Sequence, residues 1–385
     1  MIKGRRGSAK FSRVISRRSL LRGATGLAVA GPLSLAAARP AAAASGETVP
    51  ETLSVARGVV PAGVAVRPSL PLTHLSVAGA DSVRLRTTAG WQPWRPVSGC
   101  PCGPDAPQAP ARTLVPAAGA LDYEVRGSAV SVTELNTVDG PARAVADPAM
   151  PLPIDVPPQF RPTYLSRAAW GADESYRNNP DGTLDTPPAF YPVQTLTVHH
   201  SGEDHPEPDP IAHIRGIYYN QAVVQDWGDI GYQLVIDEDG RVYEGTYSDP
   251  DPIPVFGPAP SAAGLPMMVN GSHVGGFNAG NVGICVLGNH MLAPPTNAAV
   301  RSLTQVLALL AAATRLDPLG TTNYVNPVSR AKATIATIAG HQDWHRANPA
   351  AGATLCPGDH LYALLPTIRS DVDALMRQLP PVQIR

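Results

Sequence analysis

The residues predict an α/β protein with a mixed central sheet flanked by helices, preceded by a small all-β domain. Three observations predict it. After Thr163, short apolar runs alternate with stretches of helical period. Between Glu51 and Asp139 the alternation has period two and is broken by Gly/Pro turns. Finally, 42 prolines and 35 glycines among 385 residues divide the chain into short elements. That length suggests two or three domains.

The elements follow in order. Residues 1–44 carry nine Lys/Arg and no Asp or Glu. A basic stretch to Arg22 is followed by an Ala/Gly/Leu stretch from Ala24 to Ala38. Ala41-Ala42-Ala43-Ala44-Ser45 then offers a small-residue cleavage site. Ser16-Arg17-Arg18-Ser19-Leu20-Leu21 resembles a twin-arginine export signal. The competing reading is an uncleaved anchor. The apolar stretch falls short of the ~18–20 residues a span needs, and Gly31-Pro32 interrupts it. The expectation is a protein exported folded, with no stable membrane span once the signal is removed. The formal charge of −1 hides this asymmetry: beyond residue 44 there remain 21 basic against 31 acidic residues, about −10. Such a balance argues against a nucleic-acid binder held by phosphate neutralisation.

Residues 45–143 read as the β-rich accessory domain, with Ser82–Thr87 and Ala129–Thr133 as half-buried strands and Trp91 and Trp94 packing on the sheet. Residues 144–162 read as a proline-rich linker, since proline fits neither a central ladder nor a helix interior. In residues 163–385, strands are expected at Thr195–Val198, Tyr232–Ile236 and Val282–Leu287. Helices are expected over Pro210–Val224, Asn297–Leu316 and Tyr362–Gln378, the second with Val300, Leu303, Val306, Leu307 and Leu310 on one face.

Two of the ten histidines end an apolar strand, as His199-His200. His341 follows Gly340 after a second β-rich run, and Cys356 follows His341 by fifteen residues. Two imidazoles and a thiolate suit Zn²⁺, and three protein ligands leave a coordination position open for water. The bland reading is that each histidine is simply hydrogen-bonded structure.

These residues fall within a series of motifs: Ser166–Ala172, Val198-His199-His200-Ser201, Trp227–Tyr232, Asp239–Gly245, His273–Asn278, Val282-Gly283-Ile284, Gly340-His341 and Thr354–Gly358. Their types and order resemble the zinc-dependent N-acetylmuramoyl-L-alanine amidases of the peptidoglycan recognition protein-like branch, over roughly Pro162 to Pro366. The resemblance implies that His199, His341 and Cys356 are zinc ligands. It implies that Tyr232 stands beside the metal-bound water or the substrate carbonyl, and Thr354 near the developing oxyanion. His200 is implied to lie behind the ligands or in the cleft wall. The activity implied is hydrolysis of the amide between N-acetylmuramic acid and L-alanine. The partner is peptidoglycan, the location outside the cell or at its wall, and the expected state a monomer. The alternative is a peptidoglycan-binding recognition protein without turnover; the retained Cys356 speaks for catalysis. A third class is an adhesion or scaffold protein whose β domain carries the function.

The sequence departs from that pattern at Thr246, where relatives place an arginine that grips a stem-peptide carboxylate. Ser248–Val269 reads as a loop insertion rimming the cleft. A zincin reading of His341 and His345 fails because Gln342 stands where the glutamate base is needed. His213 and His290 are expected at the surface, His345 exposed or lining the cleft, and Trp170 in the core. Cys285, within a strand pattern, is expected to be a buried inert thiol. Cys100 and Cys102 either pair across a one-residue gap, remain thiols, or join another chain. Four cysteines are too few for a small disulfide scaffold.

Overall fold

The computed structural model describes residues 48–97, 102–105, 112–144, 163–203, 209–248 and 254–379. The expected export signal, most of the expected proline-rich linker, Cys100 and part of the stretch 248–269 lie outside them. Residues 43–385 form one compact unit, built from two lobes.

The N-terminal lobe is organised by two long antiparallel strands, His74–Thr87 and Asp122–Asn136. Leu53–Val59 pairs with the second; short strands at Gly90–Trp91, Arg95–Pro96 and Thr113–Pro116 pair with the first. Alternation puts Leu75, Val77, Val83, Leu85, Tyr123 and Val125 on one buried face. Trp94 packs against the sheet strands as expected, with the guanidinium groups of Arg84 and Arg126 over its ring at 4.8 and 3.9 Å from the centre.

The C-terminal lobe holds a six-stranded mixed sheet. Its spatial order is Ile338–Gly340, Thr195–His200, Asn281–Val286, Leu234–Ile236, Val242–Glu244, Tyr164–Leu165. The first four run parallel, and the Asp239-Gly240 turn makes the fourth and fifth an antiparallel hairpin. Both faces are covered, so the strands are nearly continuously apolar. Leu196, Val198, Ile284 and Ile236 point to helices α2 (Asn297–Thr314) and α4 (Asp359–Met376). Cys285, Val235 and Tyr243 point the other way, toward α1 (Pro210–Tyr219).

That second face is not closed by the C-terminal lobe alone. Leu114 and Leu135 of the N-terminal lobe share its core with Trp170, Ile214, Ile217 and Tyr218. Trp170 is fully buried as expected, its indole N–H donating to the Glu244 carbonyl at 2.8 Å. Beside it Arg167 bridges Glu174 and Asp229. The lobes are thus welded through a common apolar layer, which a freely tethered accessory module would lack.

Several expectations are corrected. His213 and His290 are buried, at 2% and 5% exposure, because each turns its ring inward to a polar partner. The helix from Pro210 ends as α-helix at Tyr219 and continues as a π-turn over Asn220–Val224. Two pieces of Ser248–Val269 are core rather than rim: Val255 and Phe256 are buried, and Met267–Val269 pairs with Phe190–Pro192, while residues 258–260 and 262–264 between them are exposed. The C-terminal helix starts three residues early, at Asp359, and carries Pro366 inside it.

Candidate active site

Strand register builds the site. In the parallel pairing, Val198 lies opposite Gly340 and His199 opposite Cys285. The residue after each first partner is a histidine, so His199 and His341 emerge side by side at the C-terminal end of the sheet, where open α/β sheets place their ligand crevices. Their ring centres are 4.6 Å apart. His341 begins the short helix α3 (His341–Ala347). Gly340 is required before it, since a Cβ there would stand 2.8 Å from the Tyr362 ring. Cys356, in the loop leading to α4, is a free thiol whose Sγ lies 3.6 Å from His199 Nδ1 and 3.4 Å from the His200 backbone nitrogen.

His273, to which the motifs alone assign no chemistry, completes the arrangement. Its Nε2 donates to the Asn281 carbonyl at 2.9 Å, so its Nδ1 is an acceptor and takes the His199 Nε2 proton at 2.9 Å. This chain leaves His199 Nδ1 as a bare lone pair facing Cys356 Sγ, the state a metal ligand needs. The His273 ring fits because position 283 is glycine; a Cβ there would sit 2.5 Å from it.

Electrostatics fit a cation. Burial, then the neighbouring His341, His273 and His200, push His199 well below its ordinary value. Burial drives His341 to about 3 and His273 to about 4. These rings are neutral donors at physiological pH. Burial raises Cys356 to about 12; a cation beside such a thiol reverses that penalty and makes it a thiolate. Two neutral imidazoles and one buried free thiol are a donor set suited to Zn²⁺.

Tyr232 is buried at the cleft wall with its ring centre 5.2 Å from that of His199, and burial keeps its phenol protonated. Thr354 lines the same cleft; its hydroxyl accepts the Cys356 backbone N–H at 3.1 Å and so also shapes the ligand loop. His200 is cleft wall, its Nδ1 accepting the His290 backbone N–H. His345 is partly exposed. Cys285 is buried and free, as expected.

The N-terminal lobe reaches into this cleft, which composition did not foretell. Cys102 Sγ lies 3.9 Å from the Tyr232 hydroxyl, and with His199 and His341 it forms a group of donor atoms all within 4.8 Å of one another. Cys102 is disulfide-bonded. A disulfide sulfur offers no thiolate, so Cys356 is the sulfur donor that fits a metal. Asp105 fastens this segment down, accepting from the Asn278 backbone at 2.9 Å and from the Asn278 and Asn326 amides at 3.2 Å each. A cavity of about 690 Å³ runs between the lobes. It is lined by His200, Tyr232, Thr354 and Cys356 on one side and by Arg95 and Arg112 on the other.

A polar crevice at the end of parallel strands thus carries a His/His/Cys donor set of the kind that suits a metal ion. Residues 189–359 match the N-acetylmuramoyl-L-alanine amidase family, and the chain contains a domain of that family. Human N-acetylmuramoyl-L-alanine amidase is 30% identical over 213 residues, 54% of this chain and 28% of the human protein. Mouse peptidoglycan recognition protein 3 is 24% identical over 219 residues, 57% of this chain and 49% of its own. The chain thus spans less than half the length of either. Among solved structures, a Drosophila peptidoglycan recognition protein, PGRP-SD, covers 52% of this chain and 92% of its own at 22% identity, with a TM-score of 0.36. The amidase LysC from Clostridium intestinale covers 50% and 93% at 21% identity, with a TM-score of 0.32.

Proposed function

We propose that the protein is an exported, zinc-dependent amidase that hydrolyses the bond between N-acetylmuramic acid and the L-alanine of the peptidoglycan stem peptide. The observation that carries this reading is the proton chain Asn281–His273–His199, which fixes the Nδ1 lone pair of His199 beside the free thiol of Cys356. Binding-only proteins have no chemical need of such a donor set. His199, His341 and Cys356 would hold the ion; zinc, when bound, lowers the pKa of its water to about 7 and polarises a carbonyl. Tyr232 donates its hydroxyl proton to the developing oxyanion or orients the water, and Thr354 stands on the same wall. Export follows from the arginine-rich leader, and a metal already loaded is compatible with transport of a folded chain.

The test is digestion of purified cell wall followed by mass spectrometry. The expected products are free stem peptides and glycan strands bearing unsubstituted lactyl groups. Intact muropeptides alone, from zinc-loaded protein, would overturn the enzyme reading. One observation favours a second reading, a recognition protein without turnover: the Cys102 sulfur of the N-terminal lobe stands against Tyr232, where a substrate carbonyl must approach. Under that reading the protein retains wall fragments and releases nothing.

A further inference from the structure

The cleft contains a charged side chain that the amidase reading does not use. Glu203 follows the strand Thr195–His200 and lines the inter-lobe cavity together with Tyr232, Thr354 and Cys356. It is 8% exposed. One carboxylate oxygen, Oε1, is 3.3 Å from His213 Nε2. The other, Oε2, is buried and finds no hydrogen-bond partner among the described residues. A buried carboxylate oxygen without a donor is costly, so its persistence at a cavity wall points to a donor supplied from outside.

The support behind it is specific. His213 lies on α1, and its Nδ1 is 2.9 Å from Nε2 of His74 on the long strand His74–Thr87 of the other lobe. His74 Nδ1 in turn meets Thr73 Oγ1 at 2.9 Å. The two rings stack with centres 5.1 Å apart. A glycine on α1 makes room: a Cβ at Gly216 would stand 3.0 Å from the His74 ring. A bare ring lone pair facing a carboxylate is repelled, so His213 Nε2 carries a proton and donates it to Glu203. His213 Nδ1 and His74 Nε2 share the hydrogen bond between the two rings. Burial would raise the Glu203 carboxyl, but His213 and the Ser201 hydroxyl outweigh it and hold the group below the usual carboxylate range. Burial and the adjacent His213 hold His74 well below its ordinary value. The relay is two stacked, buried imidazoles behind the carboxylate, with His74 held neutral.

We propose that Glu203 is a substrate-binding residue whose Oε2 receives an N–H of the peptide portion of the substrate, and that His213 and His74 are positioning residues that hold it. This rests on the amidase reading for the identity of the substrate. It also gives a role to the buried histidine that the N-terminal lobe places behind this wall, since His74 reaches Glu203 only through His213. The donor is a backbone amide N–H or a side-chain ammonium of the stem peptide, which share the chemistry a lone carboxylate oxygen recognises.

Glu203→Gln preserves shape but turns the Oε2 position into an NH₂ donor that opposes an incoming N–H. With a muramyl tripeptide as substrate, KM should rise roughly tenfold or more, as expected for a lost charge-assisted hydrogen bond. The kcat should change less than twofold, with zinc content equal to wild type. His74→Gln should raise KM about threefold by the same route. The double variant should be no worse than Glu203→Gln alone, because the histidine acts only through the carboxylate. Glu203→Asp should recover part of the loss. An unchanged KM in Glu203→Gln, or effects that simply add in the double variant, overturns the proposal.

Direct calorimetric binding of the same tripeptide separates the two readings. Glu203-dependent binding without turnover in the wild type removes the amidase and leaves Glu203 in place. Turnover indifferent to Glu203→Gln does the reverse. A wild type that neither binds nor turns over removes both. Acylating the side-chain amine of the third stem residue decides the donor: an effect that persists assigns a backbone amide, one that vanishes assigns the ammonium.

Discussion

His273→Phe tests the logic of the site. The phenyl ring occupies nearly the same space against Gly283 but has neither the Nε2–H that donates to the Asn281 carbonyl nor the Nδ1 that accepts from His199. Two consequences follow. The Asn281 carbonyl and the His199 Nε2–H lose their buried partners, a stability cost of about 1–3 kcal/mol for each unsatisfied group. Nothing then selects the tautomer that leaves His199 Nδ1 bare. Loss of such an outer partner lowers metal affinity roughly 10–100-fold, about 1.4–2.7 kcal/mol. The assay is a zinc competition titration against a chromogenic chelator, with circular dichroism to verify folding. A variant that folds and binds zinc within twofold of wild type would refute the claim that this chain prepares the ligand.

Three further outcomes are expected. Cys356→Ser should lose the sulfur-to-metal charge-transfer band of the cobalt-substituted protein and most zinc affinity; an unchanged band would assign the sulfur ligand elsewhere. Leu135→Ala should cost about 2–5 kcal/mol, since Leu135 is fully buried in the core shared by the lobes. Calorimetry should still show one transition, and two separated transitions would mean the shared core does not couple the lobes. Stability should fall with pH from about 6.5 downward. His74, ordinarily near 6.5, is held neutral in the folded protein, so below that pH only the unfolded chain takes up its proton. The loss continues until the native ring itself titrates, and above 6.5 this group contributes no slope. His74→Gln should flatten the acid limb by about 1.4 kcal/mol per pH unit; an unaltered limb assigns the slope to other groups.

The alternation of apolar runs with helix-period stretches made the C-terminal lobe legible. Runs such as Thr195–Val198 are buried on both faces of the sheet and so read as strands without ambiguity. His199, His341 and Cys356 were legible because their types are scarce and each borders a glycine, a strand end or a proline. His273 and Glu203 were not, because their importance lies in which atoms they touch across the fold: His273 meets a strand 74 positions earlier, and Glu203 is tied to the other lobe through His213. The burial of His213 was misjudged for the same reason, since its polar partners come from both lobes. The intrusion of Cys102 and Asp105 left no periodic trace. A loop's direction depends on where its lobe docks, and Leu114 and Leu135 decide that through contacts no local pattern records.

The pairing of Val198 with Gly340 has a consequence for how this site can change over time. Because neighbouring strands alternate sides residue by residue, deleting one residue from Ile338–Gly340 would send His341 to the opposite face, toward α4, while leaving the strand's hydrophobicity nearly untouched. The loops beyond the sheet carry no such constraint. Insertions near Gly288–Thr296 or between His341 and Cys356 lengthen the path without moving its anchored ends. The donor set is therefore tolerant of drift in loop length and intolerant of slippage in three short strands. Comparing chains of this kind should show gaps crowding the first class of position and sparing the second.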